Sequence, residues 1–398
     1  MNEQQVKCLI GLSLVNGLGA ARIMRLMEAF PDLNRVFKAE ERQLLQIPGV
    51  GKATAAAISR FGDWQEVDRI LSVTEHTDAW LLTIDDEHYP KRLRHIYDPP
   101  LLLWGRGDVS ALSRPGIAVI GTRKPTVYGR ARGQQFSRDI AGAGLSVISG
   151  LAYGVDTLAH AAALDAGGVT VAVLGSGIDR VYPSANRALA DKIATNRGAV
   201  ISEFAPGTKP DRENFPVRNR VVSGLSYGAL VVESATTGGS MITAYSALDQ
   251  GREVFAIPHD ITNEAGSGGN TLIKKGHAKL TMCLQDILEE LRLPDEFLGS
   301  IKPETQPSAP DLFGQTTVIS PDTKPEPKPQ PLKWKTLKDI SSRDDLRQLC
   351  QAMEDQVWHI DDLAEKLNKP GHLLLVALLE LEMMGCVKAS SGKRFQLV

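Results

Sequence analysis

Six short apolar runs punctuate the chain between residues 114 and 290: Ile117–Ile120, Leu145–Ile148, Thr170–Leu174, Ala199–Ile201, Ala229–Val232 and Val254–Ile257. Polar positions do not alternate with apolar ones inside them, so each strand needs cover on both faces, as in a parallel sheet sandwiched by helices. The stretches between them supply the cover, with Asp156–Ala166 and Asn186–Thr195 reading as amphipathic helices. This pattern predicts an α/β domain over residues 80–292, an extended Rossmann-like, doubly wound parallel sheet.

The pattern changes on either side. Leu44–Ile58 has the form of a helix-hairpin-helix around Gly49-Val50-Gly51, and Asn16-Gly-Leu-Gly-Ala-Ala-Arg22 looks like a degenerate second copy. Residues 1–75 are therefore predicted to form an N-terminal helical domain of helix-hairpin-helix/SAM-like type. Such hairpins can hold a nucleic-acid backbone at a helix N-terminus. The same turns equally suit a helical domain without DNA contact, since only Lys52 and Arg60 supply nearby charge.

Nine of the 22 prolines fall in residues 294–331, which makes 293–334 a Pro-rich linker. Beyond it, Asp361–Lys366 and His372–Met384 read as helices and Gly385–Lys388 and Arg394–Val398 as short strands around Ser-Ser-Gly. Residues 335–398 are thus predicted to be a C-terminal winged-helix domain, with Leu363, Leu367, Leu374, Leu378 and Leu381 as core positions. Its second helix carries few basic residues, which suits a protein-contacting or structural role as well as a DNA-binding one.

Composition narrows the class. Cys8, Cys283, Cys350 and Cys386 lie far apart without a CxxC pair, against a disulfide framework or a zinc ribbon, and read as reduced thiols of a cytoplasmic protein. The N-terminus lacks a basic n-region, and no apolar run approaches the roughly 18 residues of a membrane span. The formal net charge of −2 conceals a local excess, because residues 114–280 hold 18 basic against 13 acidic side chains. The excess is clumped in Arg123, Lys124, Arg130, Arg132 and Arg138 and in Arg212, Arg218 and Arg220. Brought together, these clusters make a phosphate-sized positive surface; apart, they are solvated helix faces.

The residues just after each strand point to the first outcome. The runs end in Gly121-Thr122-Arg123, Ser149-Gly150, Gly175-Ser176-Gly177, Ser202-Glu203, Glu233 and Pro258-His259. Ligands of open α/β sheets sit outside the carboxyl ends of the strands, where small and hydroxyl residues let backbone N–H groups meet an anion. GxGxxG, GxxxxGK[ST] and HExxH are all absent, so no cofactor and no metal is expected. Nothing pairs a nucleophile with a base. The site reads as built for binding.

The runs Val119-Ile-Gly121-Thr-Arg123-Lys-Pro-Thr-Val-Tyr128-Gly129, Ser149-Gly-Leu-Ala-Tyr-Gly154-Val-Asp156 and Gly175-Ser-Gly-Ile-Asp179-Arg-Val-Tyr182-Pro183 closely resemble the DNA-processing protein A (DprA/Smf) family. Ser202-Glu203, Asn214-Phe215-Pro216-Val-Arg218-Asn219-Arg220, Gly239-Ser240-Met-Ile-Thr243 and Gln250-Gly251-Arg252-Glu253 continue in that family's order. The resemblance covers most of 80–290. It implies a cytoplasmic, homodimeric protein that binds single-stranded DNA and loads RecA recombinase on DNA entering during natural transformation, with no membrane contact.

The resemblance also implies a DNA path over Gly121, Thr122, Arg123 and Lys124, Ser149 and Gly150, and Arg212, Phe215, Arg218, Asn219 and Arg220. In that path Arg123 and Arg218, at turns facing the sheet edge, neutralise phosphates. Gly121, Thr122, Ser149 and Gly150 donate hydrogen bonds, and Phe215 stacks on an unpaired base. Phe215 also fits a core position, and Arg220 a salt bridge to Asp156 or Glu203. Two positions depart from the family pattern: His259 stands where Gly is usual, and Ser184 where a basic residue is common.

Two other classes stay open. Nucleotide phosphoribohydrolases share this sheet and cleave at the same edge, but Thr236-Thr-Gly-Gly-Ser240 only partly matches their phosphate loop and lacks its glutamate. A protein-interaction scaffold needs no DNA site at all.

Overall fold

The computed structural model describes residues 1–291, 293–294, 343–353, 356–390 and 393–398. Residues 295–334 of the expected linker, 335–342 of the winged-helix region and the Ser391-Gly392 tip lie outside the described residues.

Nine strands build the central sheet: β1 (Trp80–Thr83), β2 (Leu102–Gly107), β3 (Gly116–Gly121), β4 (Ser146–Ser149), β5 (Thr170–Leu174), β6 (Ala199–Ser202), β7 (Gly228–Glu233), β8 (Glu253–Ala256) and β9 (Lys279–Leu280). Their order is β1-β2-β6-β5-β4-β3-β7-β8-β9. All pairs from β6 through β9 are parallel, while β2 joins β6 and β1 joins β2 antiparallel. The six predicted strands are β3 to β8, each within a residue or two of its expected bounds. The sheet is therefore mostly parallel rather than wholly so. Strands β1 and β2 escape the apolar pattern because their cover comes from the N-terminal helices: Trp104 in β2 donates from Nε1 to Thr74 Oγ1 at 3.1 Å, and Trp80 lies against Gly105.

Strand order reverses between β3 and β7, whose pairing register also shifts at Ile120/Gly121. A reversal of this kind opens a crevice at the carboxyl ends of the two strands.

The N-terminal helices turn at Gly17 (φ +76°) and Gly49 (φ +83°), as two hairpins require. The C-terminal module has helices Asp344–Ala352, Ile360–Leu367 and Gly371–Met383 and a small sheet of β10 (Trp358–His359), β12 (Arg394–Leu397) and β11 (Val387–Ser390), in that order. Leu363, Leu374, Leu378 and Leu381 are buried in its core, with Leu367 at the margin. Among the described residues, no helix is long and apolar enough to cross a membrane, and no cluster of three or more metal-ligating side chains occurs.

Candidate nucleic-acid interface

At the β3/β7 reversal lies a cavity of about 710 Å³. It is lined from one side by Gly121, Thr122 and Arg123 after β3, from another by Arg212, Phe215, Arg218 and Asn219, and from the third by the Ser234–Ser240 loop after β7. Eight of the eleven residues expected in the site meet here, Gly150 being the eighth. Lys124, Ser149 and Arg220 do not line it.

Three features hold the arginine turn. Thr122 N–H donates to the Glu233 carbonyl at 2.7 Å. The buried Glu233 carboxylate accepts from Thr126 N–H and Thr126 Oγ1, each at 2.7 Å, and Thr126 in turn caps the helix Val127–Gly142. Gly154 (φ +80°) closes the other flank, its α-carbon so near that a β-carbon would stand 2.3 Å from the Thr122 carbonyl oxygen. Arg123 is thereby presented to solvent, with its guanidinium 5.7 Å from the Phe215 ring centroid.

Phe215 is half-buried and tilted at 41° to Tyr182, with ring centroids 5.7 Å apart. The ring rests on Gly175, where a β-carbon would meet it at 2.8 Å. The third strand tip is thus a seat for an aromatic ring and not an anion cradle. Tyr182, exposed beside Phe215, is a wall residue that sequence reasoning missed; its place in the Tyr182-Pro183 motif gives no sign of the pairing.

Arg218 departs from the expected picture. It lies inside the helix Asn214–Leu225, not at a turn, and is 4% exposed. Its NH1 donates to the Gly150 carbonyl at 2.6 Å and to the Val173 carbonyl, fastening the ends of β4 and β5 from the cavity floor. Burial lowers its pKa, opposed by the nearby Asp156 carboxylate. Burial likewise raises Asp156, which accepts from Gly150 N–H (3.1 Å) and Ala152 N–H (3.2 Å) while Arg218 pulls its pKa down. Below them, burial and the Arg218 cation push His160 down to about 3, so this imidazole is neutral against Thr170.

These contacts correct several expected donors. The backbone N–H groups of Thr122 and Gly150 already have intramolecular acceptors, and Ser149, fully buried, donates its hydroxyl to the Val119 carbonyl at 2.7 Å. Arg220 faces away from the cavity and pairs with Glu203 and, at 3.6 Å, with Asp98. Burial raises Glu203 to about 7 against that pairing. Lys124 projects into solvent outside the cavity rim.

What remains free to meet an anion is Arg123, Arg212, the Thr122 hydroxyl and the start of helix Gly239–Asp249, which has no side-chain cap. Among the described residues Asp156 is the one buried carboxylate that borders the cavity, and its Oδ2 accepts from the Gly150 and Ala152 N–H groups. His259 fills the space beside Gly266 and lies 3.5 Å from Glu233, so this departure from the family pattern is absorbed behind the arginine turn.

The chain is similar to Protein Smf of Escherichia coli, 36% identical over 328 residues that cover 82% of this chain and 80% of that protein. It is also similar to DNA processing protein DprA of Bacillus subtilis, 40% identical over 229 residues, 57% of this chain and 76% of that one. The X-ray structure of DNA processing protein A from Streptococcus pneumoniae superposes with a TM-score of 0.63 at 34% identity, over 72% of this chain and 98% of that chain. A SAM-like helix-hairpin-helix tandem matches residues 10–60, and the DprA winged helix domain matches 324–393. The DNA recombination-mediator protein A profile matches residues 80–292, and with a cationic, aromatic-walled crevice at the strand reversal of that same domain, the chain belongs to the DprA/Smf family of DNA-processing proteins.

Proposed function

We propose that the protein is a cytoplasmic mediator that binds single-stranded DNA in the carboxyl-edge cavity as a homodimer and delivers it to RecA recombinase during natural transformation. One observation carries this reading: Arg123 stands over the Phe215 ring, with Tyr182 beside it, at the mouth of a cavity of about 710 Å³. Phosphate is neutralised by Arg123 and Arg212, and an unstacked base lies on Phe215. Duplex DNA offers its phosphates but keeps its bases stacked, so the aromatic wall favours single strands. No step of bond cleavage is assigned to the site.

Binding of labelled single-stranded and duplex oligonucleotides across a salt series tests this. Arg123→Ala is expected to flatten the salt dependence by about 0.7 in log K per log salt for the lost phosphate contact. Phe215→Ala is expected to weaken single-strand binding by ~1–3 kcal/mol and to spare duplex binding. Equal loss on both substrates in Phe215→Ala, or no effect of either substitution, would place the DNA elsewhere.

The open sheet edge supports the dimer. Ile261, 96% exposed, and Met282, 71% exposed, follow the adjacent parallel strands β8 and β9 and so share the carboxyl end of a sheet edge that no further strand covers among the described residues, with Leu280 half-exposed beside them. Ile261→Asp is expected to weaken self-association by at least about tenfold in sedimentation velocity, as for loss of a central apolar anchor. An unchanged dimer would move the interface off this edge.

A further inference from the structure

A second cavity, of about 650 Å³, lies at the opposite, amino-terminal edge of the sheet, where the winged helix docks. The Rossmann-like body contributes a basic face to it: Lys91 and Arg92 from the short helix Lys91–Arg94, Arg114 before β3 and Arg252 before β8. The winged helix meets this face with the carboxylates of helix Ile360–Leu367. The two Asp361 oxygens divide between Arg92 NH1 and Arg252 NH1, the latter at 2.6 Å, and one turn later Glu365 pairs with Lys91.

The two arginines are built into the body rather than into the winged helix. Arg252, 3% exposed, also donates to the carbonyls of Arg92 (3.2 Å) and Gly224 (3.3 Å), and the Arg92 guanidinium lies 3.2 Å over the Tyr227 ring. Among the described residues each keeps a buried Nε without a hydrogen-bond partner, so the docked carboxylates leave donors of this face unused. A pair of fixed guanidinium groups with spare donors matches the oxygens of a phosphate at least as well as those of one carboxylate. Meanwhile the helix Gly371–Met383, which a winged helix would lay in a DNA groove, has no Lys or Arg, and its first turn is held against the body by His372 on Tyr97.

We propose that this basic face is a second binding surface for the phosphates of single-stranded DNA, occupied in the free protein by the acidic helix of the winged-helix domain as a clasp. DNA held at the first cavity lies close by, because helix Asn214–Leu225 places Phe215 at one site and the Gly224 carbonyl on Arg252 at the other, about 14 Å apart along its axis. The clasp rests on the proposed single-strand binding. It adds that the winged helix regulates affinity by vacating a surface, and does not itself contact the DNA.

The full-length chain carrying Asp361→Asn with Glu365→Gln tests it, with Glu365→Gln alone as a variant at a solvent-exposed pair where folding is not at risk. Opening is read by hydrogen exchange in Ile360–Leu367, and affinity by anisotropy of a labelled oligothymidylate across salt. The expected result is faster exchange, binding tighter by about tenfold, and a salt slope steeper by about 1.4 for two further phosphates. Adding Arg92→Gln should cancel the gain.

Opening without tighter binding, a gain that survives Arg92→Gln, or no opening would each overturn the clasp. Arg123→Ala separates the two sites. It lowers clasped and unclasped binding by the same factor if both readings hold. A ratio of one between clasped and unclasped chains sinks the clasp alone, and a preserved ratio with no effect of Arg123→Ala sinks the carboxyl-edge site alone.

Discussion

Arg218→Ala is expected to destabilise the protein by about 3–5 kcal/mol, lowering the melting temperature by roughly 10 °C, and to abolish DNA binding only as a consequence. The residue resembles a phosphate ligand in sequence, yet its NH1 is spent on the carbonyls of Gly150 and Val173. Removing it leaves two buried acceptors unpaired and strips Asp156 of its neighbouring cation. The pH dependence separates this from a surface effect. Burial already raises Asp156 above its ordinary range, so its contribution to stability falls as pH climbs from that range through the folded value. Loss of Arg218 lifts the folded value further, so the deficit of the variant is smaller at low pH and deepens toward neutrality. Chemical denaturation at several pH values measures it. Wild-type stability with weakened DNA binding would instead make Arg218 a direct phosphate ligand.

The contrast between Arg212 and Arg218 shows how far the sequence can be read. The two arginines belong to one charge cluster, and charge alone gives them one role. Helical spacing distinguishes them, since Arg218, Val222 and Leu225 fall on the same inward face of Asn214–Leu225, while Arg212 precedes the helix and stays exposed. That signal is present in the sequence, and the charge pattern masks it. The strands β3 to β8 are legible because a run buried on both faces needs no knowledge of its neighbours. β1 and β2 are not, because what buries Trp104 is a helix some thirty residues earlier in the chain.

The strand-tip glycines are legible as a site but not as to cause. In sequence they look like openings for an anion, whereas Gly175 seats Phe215 and the Gly150 backbone is shared between Asp156 and Arg218. Small residues at a sheet edge thus carry two meanings, room for a ligand and room for a side chain of the same protein. Only the packed structure separates them. Tyr182 and the Ser234–Ser240 loop join the cavity through long-range packing that no local pattern encodes.

Gly154→Ala is the sharpest test of how the arginine turn is made. The residue holds φ +80° and ψ −124°, a conformation that costs an L residue about 1–3 kcal/mol. Its β-carbon would also stand 2.3 Å from the Thr122 carbonyl oxygen and 2.5 Å from the Arg123 carbonyl carbon. Both neighbours are backbone, and the Thr122 carbonyl also accepts from Val155 N–H at 3.1 Å, so neither yields by rotating a side chain. The overlap must displace the turn itself, which is clamped on its other flank by Glu233. With overpacking added, the expected cost is about 3 kcal/mol or more. Single-strand affinity should fall at least as far as in Arg123→Ala, because the guanidinium moves off Phe215 and the Thr122 hydroxyl moves with it. Denaturation and oligonucleotide titration of the same preparation measure both. A stable variant that binds like wild type would mean that the turn can shift without consequence, and that the cavity does not depend on where Arg123 is held.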